Sequence, residues 1–172
     1  MKRVGDSGSG LWRRHVFRNE LGVGTDITVL LARNDVAAMW IGGVVAYSGG
    51  FQFIQIGVIQ DPSRIDGERD GPMMGLQFAD GRQRTYKGMP FRPFPNNLVP
   101  EQLLWTVQGH WNPTGWFFIW SVSPLPPRGP VTIVSSFEGA AIEESIRVID
   151  PGPILEAASR ATSIWPLRPA DD

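Results

Sequence analysis

WFFIWSVSPLPPRGPVTIVSSFEGAAIEESIRV, residues 116–148, decides the fold. It reads as an aromatic-rich strand, a stiff proline crossing and two further strands. Proline fixes φ and offers no backbone donor, so Pro124, Pro126 and Pro127 do not belong inside a paired central strand. They are expected to carry the chain from one sheet to another. The stretch holds no nucleophile elbow, no phosphate-binding glycine loop and no metal-ligand spacing, so it speaks about architecture and leaves function open.

Strand-like runs extend upstream. DITVLL (26–31) is the first, closed by Arg33-Asn34-Asp35. VAAMWIGGVVAY (36–47), the loop Ser48-Gly49-Gly50 and FQFIQIGVIQ (51–60) form a hairpin. In the second arm Phe51 and Phe53 share one face while Ile54, Ile56 and Val58 share the other. Apolar residues on both faces mark a central strand covered on both sides. MGLQFADG and RQRTYKG suggest a short hairpin turning at Asp80-Gly81. KGMPFRPFPNNLVPE (87–101) holds too many prolines for a regular element and reads as a crossing. LLWTVQG (103–109) is a strand with the loop HWNPTG after it. After AIEESIRVI (141–149), Asp150, Pro151 and Pro153 open a helix over 154–165, and Pro166 stops it. Its apolar stripe is Ile154, Ala157, Ala158, Ala161 and Ile164 or Trp165.

These elements predict a mainly β protein: an antiparallel β-sandwich of about eight or nine strands with one C-terminal α-helix. A partly closed barrel is the alternative. The expected organisation is a basic arm over residues 1–20, one domain over 21–166 and a tail over 167–172.

Composition agrees with a globular chain. Of 172 residues, 42% are hydrophobic and 19% charged, and 20 glycines with 15 prolines suit many turns between short strands. Seven tryptophans and nine phenylalanines belong mostly in a core. The net charge of −1 gives no global field toward nucleic acid or an anionic membrane. Residues 1–18 nevertheless carry Lys2, Arg3, Arg13, Arg14 and Arg18 against Asp6 alone. The chain has no cysteine, which removes disulfides, thiolate catalysis and cysteine metal sites. It has neither the apolar core of a secretory signal nor a run of roughly eighteen apolar residues, so the expected location is the cytoplasm.

The pieces AYSGGFQF (46–53), FADGR (78–82), W-x-x-x-PLPPRGP (120–130), AIEESIRVID (141–150) and ILEAASRATSIWP (154–166) resemble, in order, those of a group of actinobacterial proteins of unknown function. The resemblance covers most of the chain. It rests on turns and packing elements, so it implies an intact single domain and carries over no function.

Three groups of residues are candidate sites. His110 and Trp111, in GHWNPTG, offer a ligand-binding rim if the indole is exposed; the plain alternative is a tryptophan capping the end of the sandwich. Glu144 alternates with Ile142, Ile146 and Val148, so it interrupts an apolar row; buried there it would need donors or a raised pKa. Glu143 points to the other face, which rules out a carboxylate pair. The acids of DPSRIDGERDG miss the calcium-loop spacing, and two scattered histidines, His15 and His110, do not make a metal site. Trp116, Phe118 and Trp120 form an aromatic stripe that suits either sugar stacking or the core. The opposite row, Phe117 and Ile119, would then lie under the helix. The arm, with Trp12 and Phe17 among Arg13, Arg14 and Arg18, suits docking onto another protein or a second copy. The sequence therefore favours a non-catalytic binding or interaction module without cofactor or metal. A small-ligand or carbohydrate-binding sandwich is the alternative, and a hydrolase using Glu144 the second.

Overall fold

The computed structural model describes residues 19–66, 71–87 and 104–165, with backbone only for 104–108. The arm residues Trp12, Arg13, Arg14, Phe17 and Arg18 lie outside the described residues, as does the crossing after Lys87 as far as residue 103.

The strands are β1 (Glu20–Leu21), β2 (Val23–Gly24), β3 (Val29–Arg33), β4 (Ala37–Tyr47), β5 (Gly50–Ile59), β6 (Met73–Gln77), β7 (Gln83–Tyr86), β8 (Leu104–Asn112), β9 (Gly115–Ser123), β10 (Val131–Phe137), β11 (Ile142–Ile149) and β12 (Thr162–Ser163). One helix, α1 (Gly152–Ser159), follows β11. Among the described residues nine strands have four residues or more, and every pairing is antiparallel. The larger sheet runs β2-β4-β5-β9-β8, with β3 sharing the β4 edge with β2; the smaller runs β11-β10-β6-β7. β1 and β12 form a separate ribbon. The architecture is sandwich-like and mainly β, as the sequence predicts.

The hairpin expected over 36–60 is β4–β5, turning at Ser48-Gly49. The proline crossing also does what its chemistry demands. β9 belongs to the larger sheet and β10 to the smaller, so residues 124–130 change sheets where no ladder bond is needed.

One core joins both sheets and the helix. The larger sheet sends in Phe53, Phe118 and Trp120, the smaller Met74, Ile133 and Phe137, and the helix Ile154, Ala157 and Ala158. Two glycines make room for large rings. A Cβ at Gly57 would lie 2.1 Å from the Trp116 indole, and one at Gly109 would lie 2.2 Å from both Phe118 Cδ1 and the Phe117 carbonyl. Two polar groups are also buried. Gln55 accepts from Trp120 Nε1 at 3.0 Å, while Ser135 sits 3.1 Å from the Ser145 hydroxyl.

The helix departs from the sequence expectation of 154–165. It runs from Gly152 to Ser159, its start held by Asp150 accepting from the Gly152 amide at 2.9 Å. The apolar period continues to Ile164, but Thr162 and Ser163 pair instead with Leu21 and Glu20, and the Ile164 amide donates to the Asn19 carbonyl. A ladder with the far end of the chain overrides local propensity. Ile164 and Trp165 are accordingly exposed.

The two sheets meet along β3 and β11 without a strand pairing. Side chains supply the bonds. Ser145 Oγ donates to the Leu31 carbonyl at 2.8 Å, and Arg147 Nε donates to the Leu30 carbonyl at 2.9 Å. Asn34 ties a neighbouring corner, accepting from the Val36 and Ala37 amides and donating to the Ala140 carbonyl at 2.7 Å.

Two substitutions test this packing. Gly57→Ala forces Trp116 from its seat and is expected to cost roughly 1–3 kcal/mol in urea unfolding. Gly24→Ala, where a Cβ meets nothing within 4 Å, is the control and stays within about 0.5 kcal/mol. Ser145→Ala strips a donor from the Leu31 carbonyl and is expected to lower stability by about 1–2 kcal/mol. Equal midpoints for Gly57→Ala and Gly24→Ala would show that the indole yields freely. An unshifted Ser145→Ala would show that the seam contributes nothing.

Candidate interaction surface

Among the described residues, those singled out from sequence do not converge. His110 and Trp111 lie on β8 rather than in a loop. The turn is only Pro113-Thr114, because Asn112 Oδ1 accepts from the Thr114 amide at 2.9 Å and from its hydroxyl at 2.7 Å, closing the hairpin tightly. On a strand, neighbours point to opposite faces. Trp111 turns inward and stacks on Trp116 with ring centroids 5.0 Å apart, its edge also meeting Phe137. His110 turns outward beside Phe117, with centroids 6.2 Å apart. The two cannot line one rim.

Glu144 shares a row with Ile146 and Val148, as the alternation requires, but that row faces solvent. The inward row is Ser145, Arg147 and Ile149. Its polar members are the ones that close the seam to β3, which is why the more polar row turns in. Glu144 is therefore an exposed surface carboxylate and not a buried one. Among the described residues no group of three or more histidines and acids is placed to hold a metal ion. An open groove of about 520 Å³ lies at the start of α1, lined in part by Arg128, Asp150 and Glu156. Asp150 there is already engaged by the Gly152 amide.

The aromatic stripe Trp116, Phe118 and Trp120 is buried, which removes it as a sugar platform. Its opposite row is the surprise. Phe117 and Ile119 were expected under the helix, yet Phe117 is 46% exposed, and α1 packs chiefly on β4 with its buried residues in the common core.

Strand register then shows how far this apolar surface reaches. One row crosses the larger sheet as Leu30, Trp40, Ile56, Phe117 and His110. The next holds Gly42, Ile54 and Ile119, and beyond the first lie Ala38 and Val58. Leu30 is 47% and Val58 48% exposed, while Trp40, Ile54 and Ile56 are half-buried. The first two rows carry no acid, lysine or arginine, while the row of Ala38 and Val58 ends on β3 at the exposed Arg33, which sets a charge at that margin. A polar row bounds the surface at one end: Tyr47 Oη donates to Gln52 Oε1 at 3.0 Å, and Gln52 Nε2 donates to Ser121 Oγ at 2.8 Å. Burial, and to a lesser degree the nearby Glu20, pushes the Tyr47 hydroxyl upward, so it stays a neutral donor. At the β3 edge the surface turns the corner through the Arg147–Leu30 bond onto exposed Ile146 and Val148.

This face was legible in part. The two apolar faces of 51–60 stand in the sequence, but the sequence does not say that one of them stays uncovered. No helix among the described residues is long and apolar enough to cross a membrane. A scan of family models, a search of curated proteins and a search of solved structures each return no match to this chain.

Proposed function

We propose that this chain is a non-catalytic protein-interaction module whose docking surface is the outer face of the larger sheet. The uncharged apolar rows across β3, β4, β5 and β9 carry the reading. Exposed apolar patches beyond a few hundred Å² mark interaction sites, and aromatic residues with few charges characterise interface centres. Burying roughly 400 Å² of apolar surface at ~25 cal/mol/Å² is worth about 10 kcal/mol for each partner. Association costs about 4–15 kcal/mol, which two such faces carry enough apolar area to offset. The scaffold suits this use, because the docking rows sit on paired strands whose inner sides are locked in the core. The basic arm, with Trp12 and Phe17 among Arg13, Arg14 and Arg18, is a second contact in this proposal; it joins the described chain at Asn19, beside the β1–β12 ribbon.

The test is stability of the charged double variant Val58→Lys/Phe117→Lys, measured by urea unfolding over a hundredfold range of protein concentration. A docking face tolerates lysine, so each change is expected to cost less than about 1 kcal/mol in the separated chain. Destabilisation of about 3 kcal/mol or more that does not vary with concentration would mean that the chain covers this face itself, and would overturn the proposal.

A further inference from the structure

Resting on that reading, we infer that the occupant of the outer face is a second copy of this chain, packed sheet to sheet about a two-fold axis.

The shape of the face argues for a sheet as its partner. The surface is a broad pleated face carried by four or five paired strands and bearing rows of apolar side chains. Such a face is complementary to another twisted sheet, which packs at about 10 Å with strands roughly 30° apart, as the two sheets of a sandwich do. A helix would cover only part of its width.

The charge distribution argues for an identical partner. A two-fold contact sets the same patch against itself, so any charge near the axis meets its own image. The rows through Trp40, Ile56 and Phe117 and through Ile54 and Ile119 place no acid, lysine or arginine there. The polar side chains Tyr47, Gln52 and Ser121 are hydrogen-bonded in series, so they suit the rim, where water reaches their remaining donors. A net charge of −1 leaves two copies with almost no long-range repulsion.

Area closes the argument. Four strands ~4.8 Å apart and about nine residues long, at ~3.3 Å each, make a face of roughly 19 by 30 Å, and the shorter β3 brings it to about 650 Å². A standard interface buries about 800 Å² from each partner. The assembled dimer would then have four layers, with the two larger sheets in the middle. β5 and β9 would be covered on both faces, as their sequences demand.

The experiment is light scattering behind a size-exclusion column, on the full chain at about 100 μM loading, with Phe117→Glu alongside. The expected wild-type mass is twice the 19.0 kDa of the chain. Phe117→Glu brings two carboxylates into the centre of the interface and is expected to weaken association at least ~100-fold, giving a monomer with an unchanged circular dichroism spectrum. The absence of cysteine allows a second readout that does not depend on that variant folding. In Ile119→Cys the new thiol is expected to react with dithionitrobenzoate many-fold more slowly at 100 μM than at high dilution, whereas Glu156→Cys, on the exposed side of α1, reacts alike at both. A monomeric wild type overturns the inference. So does a dimer unmoved by Phe117→Glu whose Ile119→Cys thiol reacts freely, or one that dissociates only when residues 1–18 are deleted. If the wild type is monomeric while Val58→Lys/Phe117→Lys keeps its stability, the docking reading stands and only the second copy is wrong. If that variant loses stability at all concentrations, the docking reading itself fails.

Discussion

A β-strand sends alternate side chains to opposite faces, and a two-sheet sandwich can bury only one face of each sheet. In this chain β5 and β9 are apolar on both. Phe53 and Trp120 go inward, while Ile54, Ile56, Phe117 and Ile119 go outward. The smaller sheet and α1 cover the inner side. The outer side keeps aromatic and aliphatic rows in solvent, and that uncovered face is the observation on which the proposed docking rests.

The inner side is closed by unequal means. Most of the enclosure is hydrophobic, but the β3–β11 edge depends on side-chain bonds from Ser145 and Arg147 to backbone carbonyls. Such bonds satisfy groups that an unpaired edge would leave open. The interior is not fully satisfied either. Gln55 Nε2 and Trp116 Nε1 are buried without a hydrogen-bond partner, a cost of about 1–3 kcal/mol each. Gln55 keeps its place through Trp120, whose indole it accepts from, and so helps fix the arrangement of rings between the sheets.

Much of the fold was legible because its signals are local. A glycine-bearing loop between two β-rich runs gave the β4–β5 hairpin, and the proline crossing gave the change of sheet. Failures came where distant parts decide. HWNPTG holds enough turn formers to read as a six-residue loop, yet one Asn112 side chain tightens it to two and puts His110 and Trp111 on opposite faces of a strand. Alternation placed Glu144 correctly with Ile146 and Val148, but could not show that Ser145 and Arg147 are drawn inward by the carbonyls of β3. The helix lost its last turn to a ladder with Glu20 and Leu21. For the surface, periodicity gave the membership of each row, and only the tertiary arrangement showed which row remained bare.

The inner packing also shapes the outer face. Phe117 and Ile119 stand in line with Ile54 and Ile56 because β5 and β9 pair without a bulge from Phe51 to Val58. That regular register requires Trp116 to lie over Gly57, since any Cβ there would meet the indole and push the strands apart. Gly109 plays the same part for Phe118 on the β8 side. Two absent methyl groups in the core thus keep three adjoining strands in even contact, and their outward side chains inherit that order. An outer face built in this way is pre-organised: its rings are held by the strands beneath them, so in the proposed docking little conformational entropy would remain to be lost.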